Sequence, residues 1–257
     1  MRTKRYTAVP AVLAVLTLCL LLTGCVPFGI HVSVMGNYSY KEAGDYTEYV
    51  DGPVRVTEEI RKISADWIAG DVILLTGEEL SITEEDGKAG AHPLYWRVRD
   101  GELSIRFVRS GTENKEIDGY SKTLTVTVPA SVRTLELDLV SASYRVETDG
   151  LDLLDVDTVS GSGNVQAGTL GKLVLDTVSG SLTAHIRDTD GTERLDVDSV
   201  SGSAEFILDG DRKVDAGFHS VSGKLDSDME LSSDEDALPV HMDSVSGSLV
   251  IRKGTAG

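Results

Sequence analysis

The sequence predicts an all-β protein: a parallel β-solenoid of stacked two-strand coils, preceded by a less regular β cap. Two observations carry this. The first is a repeat. Val140-Ser141-Ala142-Ser143, Val159-Ser160-Gly161-Ser162, Val178-Ser179-Gly180-Ser181, Val200-Ser201-Gly202-Ser203, Val221-Ser222-Gly223-Lys224 and Val245-Ser246-Gly247-Ser248 recur at spacings of 19, 19, 22, 21 and 24 residues. The second is parity. Before each valine, alternate positions are apolar or small, as in Leu173/Leu175/Thr177 and Leu195/Val197/Ser199; after it, the apolar set shifts phase, as in Leu182/Ala184/Ile186. A phase shift between two alternating runs marks a strand that turns a corner, and it predicts that adjacent residues such as Thr177 and Val178 both face inward. One such coil cannot bury its apolar face, but a stack can. Six coils at the usual strand spacing would be roughly 30 Å long.

The elements follow in chain order. Residues 1–24 have the form of a secretory signal: Arg2, Lys4 and Arg5 precede an apolar run, Ala11–Leu22, that is short for a bilayer span. The run ends in Leu22-Thr23-Gly24-Cys25, which resembles a bacterial lipobox. That resemblance implies cleavage before Cys25, lipidation of its thiol, and attachment to the outer face of the cell membrane. Residues 25–52 form the expected lipidated tether. Tyr38, Tyr40, Tyr46 and Tyr49 fall within it, either as a sugar-stacking platform or as packing on a domain's end. Residues 53–257 form the solenoid domain, with regular repeats over 133–253. Early in it, Leu94–Val98 and Leu103–Phe107 alternate around Asp100-Gly101, a hairpin signal. Leu124–Val128 is a strand ended by Pro129, and Ile68-Ala69-Gly70-Asp71 is an early copy of the repeat.

Composition excludes several functions. The chain has 257 residues, with 42 Asp+Glu against 24 Lys+Arg and a net charge of −18. A nucleic-acid surface needs clustered Lys and Arg, so no nucleic-acid partner is expected. The two cysteines, Cys19 and Cys25, lie in the signal and at the lipobox and make no disulfide framework.

Glycine two places after the valine has two explanations: it supplies a left-handed corner, or it is simply small where space is short. Ala142 in the same place favours space, because alanine avoids positive φ. The inward hydroxyls of Thr158, Thr177, Ser199, Ser220 and Ser244 need partners, expected along the stack.

These residues resemble the putative-adhesin family of bacterial envelope proteins. The resemblance rests on Asp66-Trp67-Ile68-Ala69-Gly70-Asp71-Val72, the Leu124–Pro129 strand and the six Val-Ser-Gly copies, and covers roughly residues 54–253. It implies an adhesin-like solenoid and lends no binding motif.

The candidate chemistry lies in columns. Asp138, Asp157, Asp176, Asp198 and Asp243 stand two places before their valines, with His219 breaking the column and Asp66 holding the place in the early copy. Glu136, Asp155 and Asp196 make a partial second column. Stacked carboxylates repel by roughly 0.9 kcal/mol even in water, so something must offset them. A cation or ligand ladder is one candidate. Calcium favours oxygen-rich sites, yet the Gly-Gly-x-Gly-x-Asp nonapeptide that wraps it in other solenoids is missing, so solvated or corner-capping aspartates are the expectation. The serines at Ser160, Ser162, Ser179, Ser181, Ser201 and Ser203 form a hydroxyl ladder of the same kind. His31, His92, His185, His219 and His241 show no metal-ligand spacing, and nucleophile-elbow and phosphate-loop motifs are missing. Returns of 5 to 10 residues between repeats leave no walls for a deep cleft. No metal, cofactor or catalytic residue is therefore expected. The reading is a lipid-anchored, extracytoplasmic, non-enzymatic module, adhesin-like or an envelope scaffold, with an envelope glycan or protein as ligand. The alternatives are a glycan-binding or glycan-cleaving solenoid and an accessory protein of envelope-stress signalling.

Overall fold

The computed structural model describes residues 46–50, 56, 58–86, 92–112 and 114–254. The signal sequence 1–24, Cys25, His31, Tyr38 and Tyr40 lie outside the described residues. Among the described residues, fifteen strands form a single stacked sheet system, accompanied by one short helix. In order they are β1 Thr47–Glu48, β2 Lys62–Thr76, β3 Ser81–Asp86, β4 Tyr95–Arg99, β5 Glu102–Arg106, α1 Asn114–Ile117, β6 Lys122–Val128, β7 Thr134–Thr158, β8 Gly163–Thr177, β9 Leu182–Asp188, β10 Arg194–Ser199, β11 Ala204–Leu208, β12 Val214–Ser220, β13 Leu225–Ser227, β14 Leu238–Ser244 and β15 Leu249–Lys253.

The long strands β2, β7 and β8 turn corners, so the chain builds two parallel faces. On the first face the stack runs β5, the start of β2, the start and then the end of β7, the end of β8, β10, β14 and β12. On the second it runs β6, the end of β2, the middle of β7, the start of β8, β9, β11, β15 and β13. Each pair of strands across a corner is one rung, which makes eight rungs in place of the six coils counted from the repeat. The early copy at Ile68–Asp71 is a full rung, in register with Val140–Ser143 despite a spacing of 72 residues, and β5 with β6 supplies another beyond it. The Asp100-Gly101 turn joins β4 and β5 as an antiparallel hairpin, with φ of 55° and 76°.

Stacking departs from chain order at the C-terminal end. The last rung in sequence, β14/β15, inserts between β10/β11 and β12/β13. Apolar burial accounts for the order. Leu238, Val240, Met242, Leu249 and Ile251 are fully buried in the inserted rung, whereas in the terminal rung Val214 alone is fully buried and Ala216, Phe218 and Leu225 are partly exposed. Arg212 ties the returns together, donating to the carbonyls of Thr189 (2.8 Å), Thr192 (2.7 Å) and Asp236 (2.9 Å).

The corner itself corrects one expectation. Thr177 is buried, but Val178 is only half-buried, and Val221 is 84% exposed. The phase shifts because the valine and the following serine both turn outward; the glycine, not the valine, comes back to the core. Gly70, the corner glycine of the early copy, has a positive φ of 102°; Gly161, Gly180, Gly202, Gly223 and Gly247 do not, so at those five corners space is the reason. A Cβ on Gly180 would lie 2.2 Å from the Gly161 carbonyl oxygen, one on Gly202 1.8 Å from that of Gly180, and one on Gly247 1.8 Å from that of Gly202. The residue before each valine closes the corner: the Gly180, Gly202, Gly223 and Gly247 amides donate to the hydroxyls of Thr177 (2.8 Å), Ser199 (3.0 Å), Ser220 (2.8 Å) and Ser244 (2.6 Å).

The other end is thick and capped. β3 and β4 run antiparallel to β6 and β5, and β1 adds to β4. Trp67 packs edge-on against Phe107, and Lys122 is fully buried beside both rings, bonded to Glu84 and to the carbonyls of His92 and Phe107. Tyr46 and Tyr49 belong to this cap. Arg106 stacks on the Tyr46 ring at 3.8 Å, and the buried Tyr49 donates its hydroxyl to the Ile82 carbonyl.

The glycine column makes a sharp prediction. Gly180→Ala should lower stability by about 2 kcal/mol, because its methyl meets backbone that cannot move aside. Gly191→Ala, where nothing lies within 4 Å, should change it by less than about 0.5 kcal/mol. Urea midpoints of the two variants measure the difference.

Candidate functional site

Strand alternation turns every second residue of the first face outward, and in-register stacking lines those residues up. Asp66 pairs with Asp138, Asp157 with Asp176, Asp176 with Asp198 and Asp198 with Asp243, so the structure brings the predicted aspartates into one column. His219 does not interrupt it. Because β12 is the terminal strand, His219 stands beyond Asp243 at the column's end, its Nδ1 3.0 Å from that carboxylate. At the opposite end Arg106 lies in register with Asp66 and 3.6 Å from it. A row of carboxylates thus runs from the Arg106 guanidinium at one end to the His219 imidazole at the other.

Crowding sets the acidity of the row. Partial burial, then the neighbouring carboxylates Asp138, Asp176 and Asp155, push Asp157 up to about 7. Asp176 is raised to about 6 by burial and by Asp198 and Asp155. Asp66 reaches about 7 through burial and Asp138, with which it shares a hydrogen bond, against the opposing pull of Arg106. Asp198 and Asp155 are raised for the same reasons, Lys172 and Lys62 holding Asp155 back. In the second column Lys62 lies 2.7 Å from Glu136, and His241 lies 3.8 Å from Asp196.

Among the described residues, no group of three or more His, Cys, Asp or Glu side chains is arranged to hold a metal ion. The column is linear, and a calcium site needs carboxylates that converge. The serine ladder is spent on the stack. The hydroxyls of Ser141, Ser160, Ser179 and Ser201 donate to the carbonyl at the valine position of the preceding rung, and Ser203 and Ser248 accept amide protons across rungs.

Stacking also creates pairs that the linear spacing hides. His185 lies 2.8 Å from Asp209, 24 residues on, and their meeting depends on which rung lies beside which. On the second face a shallow trough of about 930 Å³ crosses several rungs, lined by Thr76, Arg145, Glu147, Asn164, Gln166 and Arg187. Arg145 is held by Glu147 and Arg187 approaches Asp149 at 3.5 Å, while the planar amides of Asn164 and Gln166 lie between them.

The fold and its surface define a class: a non-globular stack of parallel rungs, with shallow polar faces in place of a cleft. Residues 91–240 match the Toastrack DUF4097 family, and the chain belongs to it. No curated protein matches the sequence. Among solved structures, the chain is similar to a "putative cell adhesion protein" from Clostridium sporogenes ATCC 15579, at 12% identity and a TM-score of 0.50, over 76% of this chain and 93% of that one. It is also similar to a "putative adhesin" from Bacteroides fragilis NCTC 9343, at 16% identity and a TM-score of 0.40, over the same shares of the two chains. At 12% identity the Clostridium likeness speaks to the fold alone.

The sign of the pH dependence follows from the column. Folded Asp157 holds its proton more tightly than the unfolded chain does, so its contribution to stability is present in acid and lost as pH rises from about 4 through about 7. Asp157→Asn should therefore raise stability at pH 8 by about 1 kcal/mol, allowing for solvent screening, and change it little at pH 4. Thermal unfolding of both proteins at the two pH values measures it.

Proposed function

We propose that this protein is a lipid-anchored, extracytoplasmic, non-enzymatic module that presents its solenoid as an adhesin-like binding or scaffold surface of the cell envelope. In this reading residues 1–24 are removed, Cys25 carries the lipid and the following segment tethers the domain. The Leu22-Thr23-Gly24-Cys25 sequence behind a charged, apolar leader supports the anchor. The observation that carries the non-enzymatic part is the use of the polar side chains. The corner hydroxyls of Thr177, Ser199, Ser220 and Ser244 are engaged within the corners, and outward serines and the His185 and His219 rings are engaged with neighbouring rungs. The trough is shallow and open, so few polar side chains are left to act on a substrate. Family membership and the adhesion-related description of the Clostridium structure are consistent with it.

One observation favours a glycan as the ligand. The second-face trough sets planar amides and guanidinium groups in a row, chemistry suited to hydroxyl-rich chains. Detergent-solubilised protein should bind an envelope polysaccharide, and Gln166→Ala with Arg187→Ala should weaken that binding about tenfold; equal binding by the variant would assign the contact to another surface.

The anchor has its own test. Cys25→Ser should move the protein from the membrane fraction to the soluble fraction on cell fractionation. Retention in membranes would overturn the lipid attachment.

A further inference from the structure

The two ends of the solenoid are built differently. The N-terminal end is covered by antiparallel strands, whereas the far end stops at β12 and β13. A short bridge covers only the start of β12: Val214 donates to Glu230 and accepts from Ser232. Alternation of the ladder then turns the backbone groups of Ala216, Phe218 and Ser220 the same way as those of Val214, outward, where no described strand pairs with them. Of the three exposed large apolar side chains among the described residues, two lie at this end, Val221 at 84% and Leu231 at 48%.

The terminal rung also differs from the inner ones at the outward positions. His219 replaces the column aspartate, Gly217 stands where Glu136, Asp155 and Asp196 stand elsewhere, and Lys224 replaces a serine. From Ala216 to Leu225 there is no acid at all, in a chain of net charge −18. An aspartate here would bring carboxylates together across any further strand; the residues present remove that repulsion.

We propose that this end is a homophilic interface, in which β12 pairs antiparallel with β12 of a second copy about a two-fold axis through Phe218. The register is fixed by the free backbone: only this axis sets Ala216 opposite Ser220 and Phe218 opposite Phe218, using all three outward residues of each copy. It extends the core by an aromatic pair. It sets each His219 across from a glycine and diagonal to Asp215 of the second copy, a hydrogen-bonding carboxylate within side-chain reach. Where the strands end, it brings Val221 of one copy toward Leu231 of the other, twice by symmetry, covering the two exposed apolar side chains. The second copy is thus the partner of the adhesin-like module proposed above, and the inference rests on that reading only for its setting.

The test uses the full chain in mild detergent, where anchoring does not enter the measurement. Sedimentation velocity at 0.15 M salt should show a concentration-dependent dimer. Ala216→Pro removes an outward amide that the fold does not use, and Val221→Asp sets a charge at a solvated position. Each should weaken the dimer at least tenfold with the circular dichroism spectrum unchanged. Val221→Cys combined with Leu231→Cys should give a disulfide-linked dimer on mild oxidation, and neither single variant should. A protein that stays monomeric at every concentration would overturn the proposal, as would a dimer that survives both weakening substitutions.

Discussion

The contact on which the structure depends is between glycines of successive rungs. At each corner a carbonyl of one rung occupies the space where the next rung's Cβ would be, from Ala142 over Gly161, Gly180 and Gly202 to Gly247 and Gly223. No side chain fits that gap at ordinary strand spacing. The glycine amide must then find an acceptor close by, because burial without one costs roughly 1–3 kcal/mol. The preceding Thr or Ser hydroxyl meets this need in four corners. Where Leu139 replaces the hydroxyl residue, Ala142 replaces the glycine. The motif is thus a single steric and hydrogen-bonding unit, repeated because each copy must fit the one beside it.

Strict register has an electrostatic consequence. Any residue that suits an outward position in one rung is placed beside the same position in the next, so a tolerated aspartate becomes a column. Its repulsion is met partly by protonation, since the central carboxyls hold their protons to about pH 6–7, and partly at the ends by Arg106 and His219. The column is better understood as a consequence of repetition, compensated at its ends, than as a site built to bind an ion.

The repeat, the parity and the hairpin at Asp100-Gly101 make the solenoid legible in the sequence, because strand alternation and turn chemistry are local. The reason for the corner glycines was legible too, through the single substitution of Ala142. What local patterns lack is spatial adjacency. Chain order set His219 inside the aspartate column, and only the insertion of β14 ahead of β12, driven by the richer apolar set of the later rung, moves it to the end. The Lys122 cage escaped for the same reason: Glu84 and His92 lie 38 and 30 residues away and meet the lysine through the cap. The corner valines depart from the local rule that apolar side chains face the core, because a tight corner turns them outward.

Inequality of the two ends gives the rod a direction. The chain enters the domain through Tyr46–Glu48, which pack on the capped end, and about twenty residues separate that point from Cys25, a reach of at most about 70 Å. On the proposed anchoring, the capped end is the membrane-proximal one and the open β12 edge points away from it. A two-fold contact through that edge reverses the second rod, so the two anchored ends lie furthest apart. Such a pair spans two membranes facing each other more readily than it stands on one. The same asymmetry separates the two ends: the capped edge is covered within the chain, while the open one carries no carboxylate from Ala216 to Leu225.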